Sequence, residues 1–310
     1  MNTARHNRKA RSGQSFAAGP TRPRNAVSNR AHGRKKAPQS VTLSSHGNQS
    51  NHPIALITDF GLDDHFVGSM KAAMLGVNPA AAIVDVSHGI PPGDIMAAAS
   101  MLLMCFRDFP KSTIFTVVVD PEGGSDRNGI IVKAGSYYFV GPDNGVLSLA
   151  CERIGHPQII RRIENDTFFR KPVSKTFHGR DILGPVAAHL SKGAALEKFG
   201  PVQEGFISMA LPTVMANAKC ITGSVIAIDR FGNCITTIEP SHIEMLRGKK
   251  LSVSVKGSRA IPVHSCYADV PEGKPLGLIG CAGFLEISVN RGNAAEKLRI
   301  GRGDRVEVTS

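Results

Sequence analysis

The sequence predicts an α/β protein: an N-terminal α/β domain with a largely parallel sheet, followed by a smaller, β-rich C-terminal domain. Three observations carry this. Over residues 54–119, short apolar runs alternate with segments of helical period, the pattern of a parallel sheet with crossover helices. From Cys220 onward the chain breaks into short β-like runs spaced by Gly, Asn and Pro. A chain of 310 residues, 42% hydrophobic and 20% charged, is long enough for one large or two ordinary domains with a sizeable core. The boundaries that follow are a disordered basic tail at 1–52, the α/β domain at 53–202, a linker at 203–216 and the β-domain at 217–310.

Taken in order, Ile54–Thr58 is an apolar run that Asp59-Phe60-Gly61 breaks, hence a strand running into a loop. From Phe66 to Leu75, apolar residues fall at helical spacing and Asn78-Pro79 stops them. Ile83–Val86 reads as a second strand, and Asp94–Phe106 as a helix with a strongly apolar face. Thr113–Val119 is β-branched and continuous, as a strand covered on both faces requires. Ile130–Ala134 and Tyr137–Val140, joined by Gly-Ser, form a hairpin, and Asp181–Leu190 is another apolar helix. The C-terminal strands are 223–228, 234–238, 251–255, 276–279, 285–289 and 305–308. There is no internal repeat.

The net charge of +12 is unevenly placed. Residues 1–52 hold ten Lys/Arg and no Asp or Glu, leaving 27 basic against 25 acidic side chains in the rest. The tail, not the domains, sets the basic character, so a nucleic-acid role is not indicated beyond non-specific contact through that tail. The tail lacks the apolar stretch of a secretory signal. Its Arg- and Ser-rich, acid-free composition leaves an organelle transit peptide open beside a plain disordered tail. No apolar run approaches the ~18 residues of a spanning helix, so no membrane role is expected. The six cysteines stand singly and none forms C-x-x-C. They are expected to be buried, reduced thiols of a cytoplasmic protein, and no zinc site is expected.

Five clusters carry candidate chemistry. Asp59, followed by Asp63, Asp64 and His65, lies just past the first strand, where ligands of open α/β sheets bind. An Asp there commonly accepts from ribose hydroxyls, but a metal site and a plain turn are alternatives. A kinase Asp-Phe-Gly is excluded, because only 58 residues precede it and no Gly-rich loop is among them. Asp120 ends the third strand and enters a Pro/Gly turn that could fold Arg127 back toward it; an exposed loop with a weak ion pair is the alternative. His178 stands in Thr176-Phe177-His178-Gly179-Arg180-Asp181, with Asp181 placed to cap the next helix. Asp229, Phe231 and Asn233 form a turn whose ring and amide suit a purine, although a β-turn explains them equally. Asn293 and Ala295 lie in a small-residue segment open to close backbone approach. Phosphate-loop, Rossmann, nucleophile-elbow and zincin motifs are all missing from the sequence.

Together, T-D-F-G (58–61), G-x-M-K (68–71), D-P-x-x-G-S-x-R (120–127), P-D-N-G (142–145), T-F-H-G-R-D (176–181), D-x-F-G-N (229–233) and G-N-A-A (292–295) resemble one family. It is the S-adenosyl-L-methionine (SAM) hydroxide adenosyltransferases, adenosine-forming SAM hydrolases related to fluorinase and chlorinase, and the match runs from about Pro53 to Ser310. The resemblance implies the two-domain fold already read. It also implies a homotrimer holding substrate between one subunit's N-terminal domain and its neighbour's C-terminal domain, and water attack on ribose C5′ without metal or redox cofactor. It places the catalytic roles on Asp120, Arg127 and His178, the ribose contact on Asp59, and the methionine and adenine contacts on Asp229, Phe231, Asn233, Asn293 and Ala295. Two departures stand out. Glu122-Gly123 replaces the usual Gly-Val, and Gly93 stands where the fluorinase has a Trp. A non-catalytic SAM or adenosine sensor and a SAM-dependent halogenase are the alternatives.

Overall fold

The computed structural model describes residues 51–124, 127–246, 250–257 and 260–310. The basic tail lies outside them except for Asn51 and His52, and the His52 amide already donates to the Ser191 carbonyl.

The first sheet holds six strands: β1 (Ile54–Thr58), β2 (Ile83–Ser87), β3 (Ile114–Val118), β4 (Gly129–Ala134), β5 (Tyr137–Pro142) and β6 (Ile159–Arg162). Their order is β2-β1-β3-β5-β4-β6. The β2-β1, β1-β3 and β3-β5 pairs are parallel, whereas β4 is antiparallel to both β5 and β6. The β2-β1 and β1-β3 pairs are parallel because α1 and α2 cross over between them, β4 and β5 form the hairpin that the short Gly-Ser link permits, and the return through β4 leaves β5 parallel to β3. Strands β1 and β3 are wholly buried, which is why their sequences are continuous rather than alternating. Strand β2 is an edge, and its Val84 and Asp85 face solvent.

Helices α1 (Phe66–Val77) and α4 (Gly184–Ser191) cover one face, through Met70, Met74, Val186 and Leu190 packed on Ile54, Leu56 and Ile114. Helices α2 (Ile95–Cys105) and α3 (Ser148–Ile154) cover the other, through Ala98, Leu102, Leu149 and Cys151 packed on Phe115 and Phe139. Asp94 caps α2, accepting from the Ala97 amide at 2.9 Å. Two readings need correction here. The helix expected over 181–190 begins earlier, as a π-helical turn at Gly179–Leu183, and becomes regular only at Gly184. Asp181 is not its cap. It is fully buried inside that turn, where its carboxylate accepts from Arg180 Nε at 2.7 Å, the Ser174 amide at 2.9 Å and Arg170 at 3.1 Å. A turn wound around a buried carboxylate needs those donors, and they fasten the 170–174 loop to it.

The second sheet joins β7 (Met215–Ala216), β8 (Cys220–Ile228), β9 (Cys234–Thr236), β10 (Ser252–Val255), β11 (Ile261–Pro262), β12 (Pro275–Ile279), β13 (Leu285–Val289) and β14 (Arg305–Thr309). The order is β11-β10-β14-β8-β9-β13-β12, antiparallel throughout, with β7 also on β8. A bridge between Val263 and Gly277 brings the two ends together, giving a barrel-like form. The segment 203–216 thus contributes a short strand of its own. Ile226, Ile235 and Phe284 join the apolar cluster under α2 and α3, and Arg302–Asp94 and Arg153–Glu239 ion pairs rim the contact.

The cysteines depart from expectation. Cys151 and Cys234 are buried, Cys105 and Cys220 half-buried, and Cys266 and Cys281 exposed. Burial pushes Cys105 up to about 11 and Cys234 up to about 12. Cys266 and Cys281 lie in turns beside strands, where a nearby apolar run does not imply cover. Among the described residues, no helix is long and apolar enough to cross a membrane.

Candidate functional site

Strands β1 and β3 are parallel neighbours with Thr58 opposite Val118. Their carboxyl ends therefore release Asp59 and Asp120 side by side, since adjacent strands lie about 4.8 Å apart. The third contributor arrives from far along the chain. Phe177, 8% exposed, packs edge-on to Phe60 and Phe66 with ring centroids 5.6 and 5.3 Å away, and this docks His178 over the same strand ends. Asp59, Asp120, Thr176, His178 and Gly179 line one small, partly open cavity of about 90 Å³. Gly124 makes the approach possible: it adopts φ +95°, and a Cβ there would stand 2.1 Å from the Lys175 carbonyl oxygen. The Asp120 turn thus lies directly against the backbone that leads to His178.

Asp59 is fixed from two sides. Its Oδ2 accepts from the Gly93 amide at 2.8 Å, and the Gly61 amide donates to the His88 carbonyl at 2.8 Å. Asp120 Oδ1 accepts from the Glu122 amide at 3.2 Å. Arg127 does fold back: its Nε is 3.8 Å from Asp120 Oδ1, while its Nη2 pairs with Glu122. The two carboxylates share one guanidinium, and Glu122, at 67% exposure, is its outer partner. Asp63, Asp64 and His65 are exposed, and among the described residues no three His, Cys, Asp or Glu side chains gather as a metal site would require.

The P-D-N-G segment is scaffolding. Asn144 Nδ2 donates to the Val119 carbonyl at 2.9 Å, holding the last residue before Asp120. Asp143 accepts from Gln203 and from the Ile207 amide, tying the 203–209 connector to the end of β5. Around Asp181, burial by itself would raise the carboxyl, but the Arg180 pair, the Ser174 donors and Arg170 outweigh it and hold it well below the usual carboxylate range. It stays ionised and structural.

The C-terminal candidates form a separate place. Asp229 Oδ1 accepts from the Phe231 and Asn233 amides at 2.9 Å each, and its Oδ2 accepts from Asn233 Nδ2 at 2.8 Å. Both carboxylate oxygens therefore shape the loop itself. This leaves the Phe231 ring 76% exposed, beside a cavity of about 500 Å³ that it lines with Asn233, Tyr267, Val289, Arg291 and Gly292. Asn293 and Ala295 stand behind it. Asn293 caps α5 (Ala294–Leu298) by accepting from the Glu296 amide at 3.0 Å, and the Ala295 amide donates to the Gly232 carbonyl at 3.0 Å.

The nine predicted residues therefore fall into two groups whose cavities share no lining residue. The first cavity is far below the ~300–1,000 Å³ of ordinary small-molecule sites, and the second, open and apolar, has an aromatic wall. Tyr267 was missed by sequence reasoning. Its hydroxyl donates to Glu286, a carboxylate only 7% exposed, and burial together with Glu286 pushes the phenol well above its ordinary value. A Tyr among turn residues gives no local signal; only the buried Glu inside the β13 run, an oddity in a strand interior, could have pointed to it.

Comparison with known proteins finds relatives of both domains. The model of the SAM hydroxide adenosyltransferase N-terminal domain matches residues 54–200, and that of the C-terminal domain matches 223–307. The (R)-S-adenosyl-L-methionine hydrolase of Thermus thermophilus is 35% identical over 263 residues, covering 83% of this chain and 99% of that protein. The protein of the same name from Salinispora tropica is 35% identical over 259 residues, covering 83% and 97%. A fluorinase from Actinopolyspora mzabensis is more distant, at 25% identity over 289 residues, covering 83% and 96%. Among solved structures, an uncharacterized conserved protein from Thermotoga maritima superposes with a TM-score of 0.80 at 38% identity, covering 83% of this chain and all of that one. With both domain models matched in order across the two sheets, the chain belongs to the SAM hydroxide adenosyltransferase family.

Proposed function

We propose that this protein is an enzyme that hydrolyses SAM to adenosine and L-methionine. Water, or hydroxide, attacks ribose C5′ in line with sulfur; the C5′–O bond forms, the C5′–S bond breaks, and methionine leaves as a neutral thioether. That leaving group needs no proton, so the protein's task is to hold and deprotonate water and to pin C5′. The observation that carries the reading is the convergence of Asp59, Asp120 and His178 on one small cavity at the ends of β1 and β3. Its size suits a water and the reacting carbon rather than a whole nucleoside.

In this reading His178 and Arg127 hold the water, Asp120 orients Arg127, and Asp59 takes the ribose hydroxyls. Phe231, Asn233, Asp229, Asn293 and Ala295 form the adenine and methionine side. The separation of the two cavities supports a homotrimer in which neighbouring subunits complete each site. The reaction as written uses no metal or redox cofactor, and a cytoplasmic location fits a chain that pairs none of its cysteines.

The test is to incubate the purified chain with the (R) and (S) sulfonium epimers of SAM, both included because the curated relatives are named for the (R) form. Equal amounts of adenosine and methionine are expected, insensitive to EDTA, with ¹⁸O from labelled water in the 5′-hydroxyl. Methylthioadenosine or S-adenosylhomocysteine as main product overturns the reading.

A further inference from the structure

A chain of polar contacts runs from the surface of α1 to the turn that carries Asp59. Lys71 Nζ lies 2.5 Å from Asp85 Oδ2 on edge strand β2. Asp85 Oδ1 lies 3.0 Å from His88 Nε2. His88 Nδ1 lies 2.8 Å from Thr58 Oγ1, and that oxygen accepts from the Phe60 amide at 3.2 Å. His88 is 5% exposed and Thr58 fully buried, so bulk water does not compete for the His88–Thr58 contact, whereas Asp85 and Lys71 stand at the surface.

The donors and acceptors along this chain run in one direction. Asp85 Oδ1 is close to Nε2 but out of line for a hydrogen bond, so the carboxylate favours the imidazole proton on Nε2 through its charge alone. That leaves Nδ1 as the acceptor for the Thr58 hydroxyl proton, and turns the Thr58 lone pairs toward the Phe60 amide. The Gly61 amide donates to the carbonyl of the same His88. Both amides that follow Asp59 are therefore tied to one histidine, one through Thr58 and one directly. Five residues past His88, the Gly93 amide meets the Asp59 carboxylate itself.

We propose that His88 is a positioning residue: its imidazole, held in one tautomer by Asp85 and Lys71, sets the Thr58 hydroxyl and with it the turn that presents Asp59 to the ribose. This rests on the reading of Asp59 as a ribose ligand; the placement of the turn can be tested without it.

The experiment compares Thr58→Val, Thr58→Ser and Asp85→Asn in the full chain. Thr58→Val keeps the buried volume and removes the relay. It is expected to raise KM for SAM about tenfold with kcat changed less than about threefold, as loss of one buried hydrogen bond on the binding side implies. Thr58→Ser should restore KM to within about twofold of the parent, because it restores the hydroxyl. Amide hydrogen exchange at Phe60 and Gly61 should rise about tenfold in Thr58→Val and not in Thr58→Ser, with the rest of β1 unchanged. Should Thr58→Val fail to fold, Asp85→Asn, at an exposed position, frees the tautomer without touching the core, and is expected to move both readouts the same way by about threefold. Parent-like exchange and KM in the folded Thr58→Val or Asp85→Asn chains overturn the inference, as does a Thr58→Ser chain as impaired as Thr58→Val. If the parent chain fails to turn over SAM, the proposed function fails, while exchange at Phe60 and Gly61 still decides the role of His88.

Discussion

At the residue scale, the catalytic assignment separates from the binding one. His178 lines the small cavity and Arg127 reaches Asp120 at its mouth. His178→Ala and Arg127→Ala are expected to lose about 10²–10⁴-fold in kcat, the usual worth of positioned acid–base groups, with SAM affinity kept. Steady-state kinetics with direct binding measurements check this, and near-parental turnover in both variants removes the roles given to them. Asp181 makes a contrasting case, a buried carboxylate whose work is structural. Its pKa is depressed in the folded state, so its stabilisation is fully present above the ordinary carboxylate range near ~4 and is lost as pH falls below it. Asp181→Asn should cost about 2–3 kcal/mol at neutral pH, below the ~3–5 of a fully buried pair, because Arg170 and Arg180 keep contact with water. Urea midpoints taken from pH 7 to pH 3 should show the gap between parent and variant narrowing. A gap independent of pH would mean the carboxylate is not what matters there.

At the element scale, the site depends on loops pressed together rather than on any one of them. The aromatic trio Phe60, Phe66 and Phe177 joins the β1 exit, α1 and the His178 segment. Gly124 lets the β3 exit lie against Lys175. Gly124→Ala is therefore expected to cut kcat at least about tenfold, since a displacement of about 1 Å at a reacting centre can cost 10²-fold. Thermal stability should change far less, because the turn is exposed and no core side chain is altered. Kinetics and a melting curve on the same sample check it; unchanged kcat would show that the close approach is not needed.

For the whole molecule, the two cavities set the question of how a single SAM spans them. If neighbouring subunits complete each site, a chain lacking His178 and a chain lacking Asn233 complement one another. Inactive His178→Ala and Asn233→Ala proteins, dissociated, mixed in equal amounts and reassembled, should regain about a quarter of parental activity, the fraction of sites that pair two intact halves in a closed ring. No regain, with mixed oligomers demonstrated by mass spectrometry, would place each site within one subunit. Within the chain, the Arg302–Asp94 pair, from the loop before β14 to the cap of α2, lies one residue from Gly93 and its bond to Asp59. The β-domain thus touches the segment that holds the ribose candidate.

The sequence alone determined most strands and helices of the first sheet, though not α3 or β6, because buried parallel strands and amphipathic helices write their environment into local period. Ile54–Thr58 and the 130–140 hairpin fall where the sequence places them, as does Leu285–Val289 in the second sheet. It also determined the family, because seven short motifs in fixed order are a pattern that no single turn or cap would produce. Local text could not show that Asp181 lies inside a π-helical turn, that Asp143 and Asn144 serve as scaffolding, or that Glu122 shares Arg127 with Asp120. Each depends on partners brought near by the folded chain, from five to more than sixty residues away. The exposure of Cys266 and Cys281, the Tyr267–Glu286 contact and the Lys71–Asp85–His88–Thr58 relay are of the same kind. A side chain's chemistry is local, but its burial and its hydrogen-bond partners are properties of the packed whole, and only the tertiary structure decided them.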